Sequence, residues 1–187
     1  LKDKVEMQQN FIKELEEQGK NNIAESKKKS DSLGDEVCVL IMQNEDLDDR
    51  VYGLTEEQKK LTGAGDKLLK LNTIKGKLTQ RVSTLTKEHK FFSKNKVCPT
   101  CTQDIQETFR INKVNDAQSK AQELKSGFEE LEQTIKAEQQ REQQFTAVSK
   151  EITKLTHDIS KNNTRISGYQ RQIRDLEQEV QRLTSQI

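Results

Sequence analysis

Cys98 and Cys101 stand three positions apart and enclose Pro99, the one proline among 187 residues. A C-x-x-C turn supplies two thiolates at the separation that a tetrahedral zinc site uses, which is half of the four ligands such a site needs. The same spacing serves thiol–disulfide exchange, but there a helix amino terminus on a compact α/β fold depresses a thiol pKa. The pattern "KNKVCPTCTQDI" at 94–105 has no βαβ surroundings. A purely structural tether with an incidental C-x-x-C is the third reading. The remaining candidates for a ligand set are few. Cys38, in "VCVLIM", reads as a small buried hydrophobe about sixty residues earlier, on the order of 90 Å away along a helix. His89 falls on an apolar stripe with Val82 and reads as a core or flanking histidine, and His157 reads as a surface residue. The other suitable thiolate pair is therefore the same pair on a second chain. Two such turns meeting about a two-fold axis would complete a four-thiolate site, one zinc per two chains.

The surroundings of the turn are helical. Hydrophobic residues make up only 30% of the chain and aromatic ones 4%, while 34% are charged, too polar for a compact core. The apolar residues nevertheless fall in register. Leu33, Leu40, Leu47, Leu54, Leu61 and Leu68 recur every seventh residue, with Val37 and Val51 between them. Phe145, Ile152, Ile159, Ile166, Ile173, Val180 and Ile187 do the same later, accompanied by Val148, Leu155, Tyr169, Leu176 and Leu183. Stripes of period 3.5 sustained over several heptads predict coiled coil. Pro99 ends the first helix, and Asp104 with Glu107 reads as a capping box that restarts the second. The fold class expected is all-α: a long antiparallel intramolecular coiled-coil hairpin with the C-x-x-C hook at its apex.

Residues 1–97 form the ascending arm, 98–101 the knuckle and 102–187 the descending arm. The first arm is the longer, 97 residues against 86. The stretch "GKNNIAESKKKSDSLG" at 19–34 has little apolar content and glycine at both ends, so it is expected to loop out, with Ser32 and Asp35 capping the helix that resumes. Ten-residue steps from Leu68 to Leu78 and from Ile135 to Phe145 read as register slips, the first with a bend near Gly63, Gly65 and Gly76. At the apex Phe91, Phe92, Val97, Ile105 and Phe109 predict a small, dry, apolar tip, with Phe92 packed near Ile105 or Phe109.

A central C-P-x-C, here Cys98, Pro99, Thr100 and Cys101, between two heptad arms resembles the zinc hook of the SbcC family, called Rad-fifty in eukaryotes and archaea. These are ATPase subunits of the nuclease complex that processes DNA double-strand breaks. The lysine-rich arms and short hook flanks look most like a bacteriophage or bacterial member. The resemblance implies a homodimer through the hook and a parent chain that binds an SbcD-type nuclease and DNA through head domains. No G-x-x-x-x-G-K-[ST] occurs, "GAGDK" at 63–67 lacking the spacing, and no nuclease-like ligand cluster is visible. No catalytic residue is assigned, and the chain is not expected to be an enzyme. It opens on Leu1 rather than methionine and reads as a piece of something longer. The net charge of +1 gives no broad field for nucleic acid. No run approaches membrane length or resembles a signal peptide, and three cysteines without a secretory segment fit a reducing cytoplasm.

Overall fold

The computed structural model describes residues 2–186, so Leu1 and the seam residue Ile187 lie outside the described residues. Among those described the chain is all-α, with helices α1 (Lys2–Leu61), α2 (Ala64–Lys94) and α3 (Glu107–Gln186). Among the described residues no helix is long and apolar enough to cross a membrane. The chain divides into two units, one of Leu1–Glu56 with Lys150–Ile187, the other of Glu57–Ser149.

In the first unit α1 runs antiparallel to the later part of α3. Asn44 bonds to both Asn162 and Asn163, at 3.0 and 2.9 Å, while Arg50 reaches Glu151 at 3.4 Å, so one index falls as the other rises. Val37, Leu40 and Leu155 are buried, whereas Cys38 and Val39 beside them are exposed. Cys38 is therefore not the small core residue expected. One step along a helix turns about 100°, enough to carry Cys38 off the stripe that Val37 and Leu40 occupy.

The expected loop at 19–34 does not form. Helix α1 continues through it, and Ser32 and Asp35 lie inside the helix rather than at a cap. The partly buried positions there are Gly19, Ile23, Ser26, Ser30 and Leu33, which keep the alternating four-and-three step, with Gly34 beside the last. The stripe is present but is filled mostly by glycine and serine, which hydropathy cannot see. A helix needs its seam positions to fit against a neighbour, and small residues allow that at little apolar gain.

In the second unit α2 and the early part of α3 form an antiparallel helical hairpin. At the end of α1 Gln58 bonds to Ser149 at 2.8 Å, and on α2 Lys67 bonds to Glu138 at 2.8 Å and Lys75 pairs with Glu132 at 3.5 Å. The first register slip lies earlier than the sequence suggests. Leu68 to Leu78 is an ordinary passage along the seam through half-buried Leu71 and Lys75, and Gly76 is simply helical. The break is at Thr62–Gly63, where Gly63 takes φ 87°, a left-handed conformation that glycine adopts without strain. Half-buried Gln58 and Leu61 and fully packed Ala64, 1% exposed, then follow one another in two successive steps of three.

Opposite this break lies the expected Ile135–Phe145 slip interval, which also passes along the seam in steps of three, four and three through Glu138 and half-buried Glu142. Glu138 is 4% exposed, the one buried charged residue among those described. Lys67 donates to it at 2.8 Å and Arg141 at 2.9 Å, and Arg141 also donates to the Lys60 carbonyl at 3.2 Å. The Lys67 hydrogen bond, and after it that from Arg141, outweighs desolvation and holds the Glu138 carboxyl below the ordinary glutamate range. A depressed carboxylate contributes stability that is present above its unfolded value and is lost as pH falls through the folded one.

Two outcomes follow for these units. Leu40→Ala should cost on the order of 3 kcal/mol in the first unit, since a buried leucine is lost, whereas Val39→Ala should be near neutral; thermal melts followed by circular dichroism compare them. Acid titration should loosen the second unit of the native chain from the ordinary glutamate range downward. Glu138→Gln should be less stable at neutral pH and should show a flatter acid limb, measured by amide exchange near Lys60 and Ala64.

Candidate metal centre

Helix α2 stops at Lys94 because Asn95 turns the backbone out to φ −112°, ψ 117°. Its amide and its side-chain Nδ2 both donate to the Phe91 carbonyl, at 3.0 and 2.9 Å, and so satisfy an acceptor that the helix end leaves open. Residues 95–106 then form a tight ribbon. Ile105 N donates to Lys96 O at 2.9 Å, Val97 and Asp104 make an antiparallel bridge, and Cys98 N donates to Gln103 O at 2.9 Å. At the closed end Thr102 N donates to Cys98 O at 2.8 Å, with Pro99 and Thr100 in the bend. Pro99 suits that bend because its fixed φ costs nothing there and its missing N–H has no ladder bond to supply.

The expected capping box is replaced by a different arrangement. Asp104 is engaged in the bridge to Val97, and the first backbone bond of α3 runs from Arg110 N to Gln106 O at 2.9 Å. Glu107, in the first helical turn, is gripped by Arg110 instead of reaching back to a cap. The ribbon needs Asp104 extended, which removes it from the helix.

This turn brings the two sequence-predicted ligands together. Cys98 is half-buried and Cys101 exposed, both as free thiols. The backbone N–H of Cys101, followed by that of Thr100 and by the Cys101 side chain, bonds to the Cys98 sulfur and holds its thiol below the ordinary cysteine value. Amides aimed at sulfur stabilise the thiolate, which is the form that ligates metal. Cys101 also directs its thiol toward Gln103 Oε1 at 3.9 Å. Two accessible thiols, one already biased toward thiolate, fit a soft, thiolate-bound metal such as zinc. Among the described residues no group of three or more His, Cys, Asp or Glu is assembled, so one chain offers two ligands. His89 is half-buried on α2, His157 is exposed, and Cys38 lies on α1 in the other unit.

Phe92 packs where the register requires. Its ring lies 5.9 Å from that of Phe109 at 78°, and Phe91 meets it edge-on at 5.1 Å. The dry tip, however, is not formed within one chain: Phe91 is 37%, Val97 45% and Phe109 49% exposed. A twelve-residue ribbon between two helix ends has too few side chains to cover these groups.

Three participants escaped the sequence reading. Asn95 and Arg110 act through contacts to α2 carbonyls that no local pattern announces. Thr102 was in principle visible, because a C-x-x-C turn closed by a bond to the first cysteine carbonyl needs a left-handed residue next. Thr102 supplies it at φ 60°, with its hydroxyl donating to Cys101 O at 2.7 Å.

The chain thus belongs structurally to the all-α class, with helical segments in antiparallel pairs and a two-thiol knuckle in the turn of one pair. No family model matches the chain, and no curated protein is found as a relative.

A β-branched residue in the left-handed region is strained by about 1 kcal/mol. Thr102→Gly should relieve that strain and tighten the knuckle, seen as slower exchange of the Cys98 amide. A faster exchange would show that the Thr102 hydroxyl bond outweighs the strain.

Proposed function

We propose that this chain is a zinc-dependent dimerisation and spacer module. Two copies share one zinc through Cys98 and Cys101 of each, and the helices to either side form the arms of one intramolecular coiled-coil hairpin. The observation that carries this reading is the knuckle itself: two accessible thiols on a rigid turn between antiparallel helices, with Cys98 biased toward thiolate. When bound, zinc supplies a cross-link whose formation requires both chains. The exposed Phe91, Val97 and Phe109 supply apolar surface that such a meeting would cover.

The resemblance of Cys98-Pro99-Thr100-Cys101 to the SbcC-type hook extends the proposal. In that setting the chain is the non-catalytic clasp of a DNA-repair ATPase–nuclease complex of bacterial or phage origin, acting in the cytoplasm. The clasp joins heads that bind DNA and an SbcD-type nuclease. The energetic division supports metal control. Structural thiolate–zinc binding is worth about 10 kcal/mol or more, whereas a few partly exposed side chains at ~25 cal/mol per Å² supply much less.

Sedimentation with and without chelator, alongside metal analysis, tests the reading. The expected result is one zinc per two chains, a dimer that chelator converts to helical monomers, and loss of the dimer in Cys98→Ser or Cys101→Ser. Cys38→Ser should dimerise normally. A dimer indifferent to chelator would favour a plain coiled-coil tether, and a metal-free chain that cycles between dithiol and disulfide would favour redox chemistry.

A further inference from the structure

Arg110 is held more deeply than Arg141 and Arg182, which pair with a glutamate in the same i,i+3 way. Its side chain is 14% exposed, whereas Arg182, in the same i,i+3 pairing with a glutamate, is 57% exposed. The pairing alone therefore does not require burial. Unlike Arg182, and like Arg141 at the Gly63 break, it makes a third bond across to the opposite helix: its guanidinium donates to Glu107 with Nε at 3.0 Å and with a second nitrogen at 2.5 Å, and reaches across to the Phe92 carbonyl at 2.9 Å. Phe92 is in the last turn of α2 and Glu107 in the first turn of α3. One planar cation thus joins the negative end of α2 to an acid at the positive end of α3, the placement that both helix dipoles favour. The neighbouring Lys113–Glu88 pair is a looser 3.9 Å contact, about 40% exposed on both sides, and contributes little.

The knuckle ribbon is strung between those two helix ends. Its three backbone hydrogen bonds hold only if the stems at Phe92 and Glu107 keep their separation. We propose that Arg110 is the positioning residue of the metal site: it clamps the stems so that Cys98 and Cys101 are presented as a pair before metal arrives. This rests on the metal-binding reading above and goes beyond it by placing the control of ligand geometry on α3, outside the C-x-x-C turn. Outer contacts that orient ligands typically change metal affinity by about 10–100-fold.

The test uses the whole chain as Arg110→Ala and Arg110→Lys, with Lys113→Ala as a control for losing a nearby charge. In metal-free protein, amide exchange at Cys98, Thr102 and Ile105 should quicken about tenfold in Arg110→Ala. Exchange at Leu155 should not change. Zinc affinity, measured by competition with a chromogenic chelator, should fall about tenfold. Lysine can still reach the Phe92 carbonyl but cannot fork onto Glu107, so Arg110→Lys should fall between, and Lys113→Ala should match the native chain. Unchanged exchange in Arg110→Ala overturns the clamp, and faster exchange with unchanged zinc affinity overturns its role toward metal. If the native chain binds no zinc, the metal reading fails and the positioning role with it, while the exchange data still decide whether Arg110 holds the stems.

Discussion

A helix this polar holds together in water only if it hides its few apolar residues along one line, because isolated helical turns are marginal and propensity adds little per residue. Val37, Leu40, Ala64, Leu85, Ala117, Ile135, Val148 and Leu155 are the buried apolar residues among those described, each supported by half-buried neighbours three or four positions away. Every other feature depends on that line. It fixes which faces of α1 and α3, and of α2 and α3, can meet. It aligns the ends of α2 and α3 so that a short ribbon closes between them. The knuckle is thereby held by packing that lies outside it.

Within that frame polar groups decide alignment. Asn44 occupies a seam position and bonds across to Asn162 and Asn163, which a shift of the helices would break. Gln58 with Ser149 does similar duty in the second unit. Such contacts stabilise modestly, but each is satisfied in one alignment only, and a polar seam residue is a known means of fixing register. The tip follows the same logic at closer quarters, since Asn95 and Arg110 close the open carbonyls of α2 with donors of fixed geometry.

The helical class, the heptad lines and the two cysteines were legible in the sequence because each is a local pattern of residue type. Residues 19–34 were misjudged because Gly19, Ser26 and Ser30 carry the seam without looking apolar. The slip at Gly63 was displaced to 68–78 because Lys75 sits on the seam with its ammonium 5.6 Å from the Phe128 ring, where a hydropathy count sees only a charge. Cys38 looked buried by its company and is turned away by its phase. Asp104 looked like a cap until the ribbon claimed it. In each case the deciding contact comes from residues far away in the chain, which spacing alone cannot reveal.

The buried Glu138 has an implication for how the sequence can drift. A leucine at this place would satisfy the seam and would suit hydrophobic packing at least as well, since replacing buried ion pairs by apolar residues is often neutral or better. But leucine is indifferent to which turn of the opposite helix it meets, and a heptad lattice offers near-equivalent berths seven residues apart. Arg141 travels with the carboxylate on the same helix, but the Lys67 bond and the bond from Arg141 to the Lys60 carbonyl are made only in the berth beside Gly63. Sliding by one heptad would break those two cross-helix contacts and move the ends of α2 and α3 out of step by about 10 Å, two helical turns. The glutamate thus works as an indexing pin, trading some packing for a preferred alignment.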